Sequence, residues 1–315
     1  MSASLSNIDS AKQSQRRLSS TNWSISRMQV LDACPRKYYY QYFAGKKTVD
    51  SKGIDKDTIN FLKQFSNEHL IAGDIVHWVI RAYFKNLMKP DPWDLARLKS
   101  FALRILKDGI DYSTELRDGI YKPHKFIPRS LQEIYYNEQA PAVISGRIKQ
   151  KIDHLLNNFY NSECYASLRI GALNPGSMVE KKIGFDFPGV HVDGIADLIY
   201  SQDERWIITD WKTGTKETEE TSLQLLVYGL WLIEEKGISP ELILINKAYL
   251  NEAVLEPLEF SKVHIQRARG RIIQDVERLK ELEDFGNEGV IEAFTPCNQQ
   301  KVCMQCPFKK LCIIN

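Results

Sequence analysis

Three consecutive segments with strand character lie in the second half of the chain, and they restrict its fold more than any other feature. They cover residues 178–187, 190–200 and 205–211, and Pro188-Gly189 is a tight-turn signal between the first two. A helical pattern follows at about 218–236, then strand patterns near 241–250 and 253–260, then a long amphipathic helix at roughly 261–284. This order predicts an α/β core.

The chain before these strands has helical periodicity. Residues 23–43 predict a helical hairpin or a broken helix, with Ser24 or Ser26 as its N-cap. Residues 59–87 predict a helix that breaks near Gly73, and residues 93–160 predict further helices around a loop at 121–128.

We therefore expect one domain over residues 23–315. It would consist of a helical region at about 59–175, a core at about 176–284 and a Cys-rich region at 294–315. The polar, Ser-rich residues 1–22 are expected to form a flexible tail, with a transit peptide as the alternative.

Composition excludes a membrane-spanning protein and a strongly basic one. Hydrophobic residues make up 43% of the chain and charged residues 26%, as in soluble globular proteins. The longest apolar run, 225–233, is too short to cross a bilayer, and the N-terminus lacks the apolar segment of a signal peptide. The net charge is only +2, so any contact with nucleic acid must come from a local patch.

Two aspartates and a lysine fall at the ends of neighbouring predicted strands. Asp210 and Lys212 are two residues apart, so their side chains point to the same face. If the strand that holds Asp197 pairs with them as an antiparallel hairpin, Asp197 comes close to Asp210. Paired carboxylates are costly in a core, but they are the hard oxygen ligands that Mg²⁺ and Mn²⁺ prefer. A surface ion pair at the hairpin end is the alternative.

The surrounding sequence resembles the RecB-type PD-(D/E)XK nucleases, which include the nuclease domains of RecB and AddB and the CRISPR-associated Cas4 proteins. The segments that carry the resemblance are Gly194-Ile195-Ala196-Asp197-Leu198-Ile199 and Asp210-Trp211-Lys212-Thr213-Gly214. The resemblance implies a restriction-endonuclease-like core, in which helices flank a mixed central sheet, with a helical insertion. It also implies that Asp197, Asp210 and the backbone carbonyl of Trp211 bind Mg²⁺ or Mn²⁺. Lys212 would be the catalytic lysine that assists the attacking water.

Two further motifs extend the resemblance. Gly73-Asp74-Ile75-Val76-His77 resembles the family's Gly-x-x-x-His, which implies that His77 is a metal ligand; a structural histidine is the alternative. Gln224 and Tyr228 share a helix face and resemble the Gln-x-x-x-Tyr motif that lines the active site; an ordinary helix face is the alternative. Glu180 is expected to play at most a supporting role, and Asp193 competes with Asp197 as the first acid.

Three of the six cysteines lie within ten residues: Cys303, Cys306 and Cys312. Their spacing suits a thiolate site for Zn²⁺ or for an iron–sulfur cluster. Cys297 is a nearby candidate for a fourth ligand. The resemblance to the family's iron–sulfur members implies Cys34 instead, in a [4Fe–4S] cluster that staples the chain ends together.

The sequence thus predicts a metal-dependent deoxyribonuclease that acts as an exonuclease on DNA ends or single strands, in recombination, repair or phage and defence processes. The alternatives are a Cas4-like nuclease of CRISPR adaptation and an inactive DNA-binding subunit. Since the chain has no Gly-x-x-x-x-Gly-Lys-Ser/Thr phosphate loop, a role with a helicase would need a partner subunit. We expect a cytoplasmic protein of prokaryotic or phage origin that does not contact a membrane.

Overall fold

The computed structural model of the chain describes residues 22–46, 53–120, 129–214 and 220–312. The predicted tail, apart from Asn22, and the predicted loop at 121–128 lie outside these ranges. Within them, no helix has both the length and the sustained apolar character needed to cross a membrane.

The chain begins with two short helices, α1 (Ile25–Ala33) and α2 (Pro35–Tyr42), which meet at Cys34. The Ser24 side chain accepts a hydrogen bond from the Arg27 amide and caps α1, so the prediction of a broken helix with Ser24 as N-cap is confirmed. Cys34 is extended (φ −165°), and Pro35 starts α2 directly after it.

A helical layer follows. Its elements are α3 (Lys56–Leu62), β1 (Phe65–Ser66), α4 (Glu68–Leu87), α5 (Leu95–Arg117), β2 (Ser130–Leu131), α6 (Gln132–Tyr135), α7 (Pro141–Asn161) and α8 (Ala166–Gly171). The predicted helix break near Gly73 is wrong. The chain leaves the helix at residues 63–67, where β1 pairs in parallel with β2, and Gly73 lies inside α4.

The core is a five-stranded sheet with two further helices. Its strands are β3 (Met178–Phe187), β4 (Val190–Gln202), β5 (Arg205–Lys212), β6 (Ile243–Tyr249) and β7 (Val254–Glu259), in that spatial order. The β5–β6 pair is parallel and the other pairs are antiparallel, so the sheet is mixed. Helix α9 (Glu220–Lys236) connects β5 to β6, and α10 (Lys262–Glu288) follows β7. The short helices α11 (Gln300–Met304) and α12 (Lys309–Cys312) end the described chain.

Strand β5 is buried on both faces of the sheet. Ile208 packs into the core that includes Leu225 of α9. Ile207 and Trp211 pack into a second core with Val76 of α4. The end of β5 therefore lies between two helical layers, where α4 approaches from one side and α9 from the other.

The pairing of β3 with β4 is interrupted at one point. Val179 pairs with Leu198 and Lys181 with Ala196, but the intervening pair of Glu180 and Asp197 is missing from the ladder. Glu180 has a φ of +49°, which is uncommon for a residue other than glycine. The interruption places the two acids where the backbone departs from regular sheet geometry, as often happens at functional sites.

Candidate metal centre and active site

Three side chains from three elements converge at the interruption in the sheet. His77 comes from α4, Glu180 from β3 and Asp197 from β4, and one potential ligand atom of each lies within 4.8 Å of the others. His77 Nδ1 is 3.3 Å from Asp197 Oδ1 and 3.7 Å from Glu180 Oε1. An imidazole and two carboxylates in this arrangement could hold a divalent cation.

Gly73 explains why α4 comes so close to the sheet. A Cβ at this position would lie 2.8 Å from Thr213 Oγ1, and Thr213 directly follows β5. Without that Cβ, the helix can approach the end of β5, and His77 lies one turn further along the same helix.

Asp210 and Lys212 lie beside this group. Lys212 Nζ is 2.7 Å from Asp210 Oδ2, as expected for two side chains on one strand face, and the Asp210 side chain is only 5% exposed. Burial raises the pKa of Asp210, and the nearby Asp197 carboxylate raises it further, while Lys212 and His77 offset part of the effect. Ionised Asp210 is therefore costly unless more positive charge is close to it.

His77 responds to the same charges. Burial alone would lower the pKa of His77, but Asp197, Glu180 and Asp210 together raise it well above its usual range. The three acids thus favour a positive charge at the position of this imidazole. A divalent cation would supply this positive charge, and a protonated histidine supplies only part of it.

The backbone of β5 fixes the Asp197 carboxylate. The Trp211 amide donates a hydrogen bond of 2.8 Å to Asp197 Oδ2, which leaves Oδ1 directed toward His77. Asp197 is thereby oriented by the same strand that carries Asp210. The role of the Trp211 carbonyl as a further ligand stays a prediction.

Gln224 and Tyr228 connect Lys212 to the sheet. Lys212 Nζ donates to Gln224 Oε1 at 3.4 Å, and Gln224 Nε2 donates to the Tyr228 hydroxyl at 2.7 Å. That hydroxyl donates in turn to the Ile195 carbonyl at 2.6 Å. Gly194 makes room for the tyrosine ring, since a Cβ there would lie 2.7 Å from Tyr228 Cε1.

Asp193 has partners of a different kind. It accepts a hydrogen bond from the Asn22 side chain, and one of its oxygens lies 3.5 Å from His191 Nε2 and 3.7 Å from Lys182 Nζ. Among the described residues, the compact metal-ligand group includes Glu180 and leaves Asp193 out. Glu180, for which the sequence predicts at most a supporting role, thus lies in one group with His77 and Asp197, and its role as a ligand stays a prediction.

Sequence reasoning also passed over Asp74, one turn before His77. Arg129 Nη1 lies 2.9 Å from Asp74 Oδ2. Burial raises the pKa of Asp74, and Arg129 and His77 counteract that rise. Asp74 therefore belongs to the electrostatic surroundings of the site, and the sequence carries no local signal that distinguishes it.

The cysteines gather around a cavity of about 290 Å³, lined by Cys34, Cys297, Cys303, Cys306 and Cys312. Cys34 thus meets the C-terminal cysteines, yet within the described ranges the sulfurs do not close into a metal-ligand group as compact as that of His77. Cys297 Sγ and Cys303 Sγ are 4.0 Å apart. The [4Fe–4S] ligand set stays a prediction.

Comparison with known proteins identifies the family. Residues 22–313 match the PD-(D/E)XK nuclease superfamily. Among solved structures, the chain is remotely similar to a "Putative exonuclease" from Eubacterium rectale (11% identity, 96% of this chain and 93% of that chain, TM-score 0.42). It is also remotely similar to the protein SSO0001 (16% identity, 66% of this chain and 96% of that chain, TM-score 0.31). No curated protein matches it. Since the family match spans nearly all of its length, the chain belongs to the PD-(D/E)XK nuclease superfamily, whose members use divalent metal ions.

Proposed function

We propose that this chain is a divalent-metal-dependent deoxyribonuclease that acts on DNA ends or single strands. The observation that carries the proposal is the convergence of His77, Glu180, Asp197 and Asp210 with one lysine at the end of β5. A structural ion pair would need only one acid for Lys212, whereas this site holds three carboxylates with a histidine among them.

In this proposal Mg²⁺ or Mn²⁺ would be held by His77, Asp197 and Asp210. Glu180 and the Trp211 carbonyl would assist them. The ion, when bound, supplies positive charge that polarises the phosphodiester and lowers the pKa of a bound water.

The remaining residues of the site orient its reacting groups and stabilise their charge. Lys212 is held by Asp210 and by Gln224, so its ammonium group can donate to the attacking water or to the scissile phosphate. Tyr228 fixes Gln224, and the Trp211 amide fixes Asp197. Each group that touches the reacting atoms therefore has a neighbour that restricts its movement.

The surface next to His77 supports a nucleic-acid substrate. Trp78, the neighbouring residue on α4, is 42% exposed, and Arg81 is exposed one turn further along. An exposed indole can stack on an unpaired base, and a guanidinium can contact a phosphate. A single-stranded or frayed DNA end would offer both an unpaired base and a phosphate.

We also propose that Cys34, Cys303, Cys306 and Cys312 hold a [4Fe–4S] cluster, with Zn²⁺ as the alternative and Cys297 as a substitute ligand. The shared cavity supports this proposal. Burial raises the pKa of Cys306 to about 12, the nearby Cys312 and Cys34 add to the rise, and the Phe308 amide and Lys37 oppose it. A bound metal would supply the positive charge that clustered thiolates need.

Such a cluster would tie the chain ends into one nuclease domain from residue 23 onward. The ends already meet without it, because Arg36 Nε donates to the Phe294 carbonyl at 2.7 Å and the rings of Tyr39 and Phe294 are 5.1 Å apart. We also propose that the enzyme works in DNA recombination, repair or phage and defence processes. It would do so with a helicase partner subunit or in a Cas4-like role.

One experiment tests enzyme, metal and cluster together. After anaerobic purification, we expect visible absorption and bound iron, and Mn²⁺- or Mg²⁺-dependent cleavage of labelled DNA. Asp210→Asn should abolish cleavage and Lys212→Met should lower it at least 100-fold, whereas Asp153→Asn, which removes an exposed acid paired with Lys99, should keep it. Cleavage by Asp210→Asn would contradict the site, and a colourless zinc protein would contradict the cluster. Metal-dependent DNA binding without any cleavage would favour the inactive-subunit alternative.

A further inference from the structure

We propose that a cavity beside the active site binds one unpaired nucleobase of the nucleic acid that is cleaved. The proposal rests on the function proposed above and assigns the substrate class to single strands and frayed ends. The cavity has a volume of about 330 Å³ and lies between α1, the β3–β4 hairpin and α9.

The cavity adjoins the proposed reaction centre. Gln224 and Tyr228 line it, and Gln224 also accepts the hydrogen bond from Lys212. A group in the cavity is therefore separated from Lys212 by one side chain. A nucleotide whose phosphate lies at Lys212 has its own base, or the adjoining one, within reach of this space.

The lining matches the surface of a base. The buried side chains of Trp23, Val227 and Tyr228 form its apolar floor. Polar groups suited to the edges of a base surround that floor, from Ser24, Ser26, Gln29 and Asp193. Sites for small ligands commonly combine an apolar lining with a few polar groups.

The cavity opens to solvent at one side. Ile195 is 53% exposed, Ser26 and Gln29 are exposed, and the Lys182 side chain is 78% exposed. Since a large exposed apolar side chain at a cavity mouth adds surface for a ligand, Ile195 is the natural contact for one face of the base. The Lys182 ammonium group can contact the phosphate of the adjoining nucleotide.

The size of the cavity selects for unpaired bases. Its volume lies at the lower end of the range of about 300–1,000 Å³ for ligand sites, enough for one base with its sugar. A base inside a duplex must first be unstacked and unpaired, which costs a few kcal/mol. A single strand offers its bases without that cost.

The test uses single-stranded oligonucleotides, each with one abasic site at a different position, and the full-length protein in Ca²⁺ to slow cleavage. At one position, loss of the base should weaken binding by about 5- to 150-fold, the effect of removing one base contact. Ile195→Ala should weaken binding of the intact strand about fivefold, from the loss of half-exposed apolar surface. It should cause no further loss with the abasic strand that binds weakly. Ile273→Ala, which truncates a side chain 52% exposed on α10 and outside the cavity, should change neither.

Two outcomes overturn the proposal. One is equal binding of the intact strand and every abasic strand. The other is an Ile195→Ala penalty that is the same with and without the base. Cleavage by the wild-type protein in Mn²⁺ is measured separately. Cleavage together with binding that does not depend on any base would support the proposed nuclease activity and refute the base-binding cavity. Base-dependent binding without cleavage would support the cavity and refute the nuclease activity.

Discussion

Gly194→Ala is a sharp test of how the site is assembled. The new Cβ would lie 2.7 Å from Tyr228 Cε1 and 3.4 Å from Ile183 Cγ1. Carbon atoms in contact are about 3.5 Å apart or more, so the ring must move by roughly 0.8 Å. The ring is 4% exposed, and its hydroxyl is bonded to Gln224 and to the Ile195 carbonyl, so it cannot move alone.

The expected effects follow from that displacement. Overpacking of a core costs about 1–3 kcal/mol. Alanine recovers about 0.5–1 kcal/mol over glycine in a strand, which leaves a net loss of stability of at most about 2.5 kcal/mol. A shift of Tyr228 carries Gln224 away from Lys212. Because a misplacement of about 1 Å can lower a rate about 100-fold, we expect kcat to fall about 10- to 100-fold.

The assay is cleavage of labelled single-stranded DNA in saturating Mn²⁺, combined with denaturant unfolding. Gly270→Ala is the matched control. It lies in α10 with no atom within 4 Å of the new Cβ, so it should cleave normally and gain roughly 0.5–1 kcal/mol of stability. A Gly194→Ala protein with normal cleavage and unreduced stability would refute the argument that the ring holds the site.

Further predictions concern the metal, the lysine and the N-terminal contact. Mn²⁺ at about 100 times its Kd should raise the free energy of unfolding by about 2.7 kcal/mol, and His77→Ala should reduce this gain at the same concentration, measured by thermal unfolding. An unchanged gain would exclude His77 as a ligand. The raised pKa of His77 means that protons compete with the metal, so Mn²⁺ affinity should fall as the pH falls through that pKa. In the metal-free protein the protonated imidazole is stabilising, and this contribution should be lost as the pH rises through the same pKa. Lys212→Met should lower the cleavage rate about 100- to 1,000-fold yet keep the Mn²⁺ stabilisation, and loss of both would place the lysine in metal binding instead. Asp275→Ala removes a fully buried carboxylate that accepts from Trp23 Nε1 at 3.1 Å and pairs with Arg271 at 2.8 Å, so unfolding in urea should show a loss of roughly 3 kcal/mol. Wild-type stability would show that this contact is dispensable.

The sheet was predictable because its strands follow one another in the chain. Alternation and the Pro188-Gly189 turn place β3, β4 and β5 in register, and the two-residue spacing places Asp210 and Lys212 on one face. These rules depend only on residues that are close in the chain, and they predict the antiparallel pairing that brings Asp197 close to β5.

Contacts between distant segments were not predictable. The interruption at Glu180 depends on both β3 and β4, so a count along one strand misses it. Gly73 suggested a helix break, since glycine is a poor helix former, but here it permits contact with Thr213, 140 residues away. The base-sized cavity needs α1, which joins the sheet only in three dimensions.

The contact between the chain ends has a consequence for biosynthesis. Trp23 lies 252 residues before its partner Asp275. At about 5–20 residues per second, a ribosome needs roughly 13–50 s to add that much chain. For that period Trp23 lacks its Asp275 partner, although its backbone can pair with His191 and Asp193 of β4 as soon as those residues are made. A nascent chain would therefore complete this side of the molecule only after Asp275 has left the ribosome.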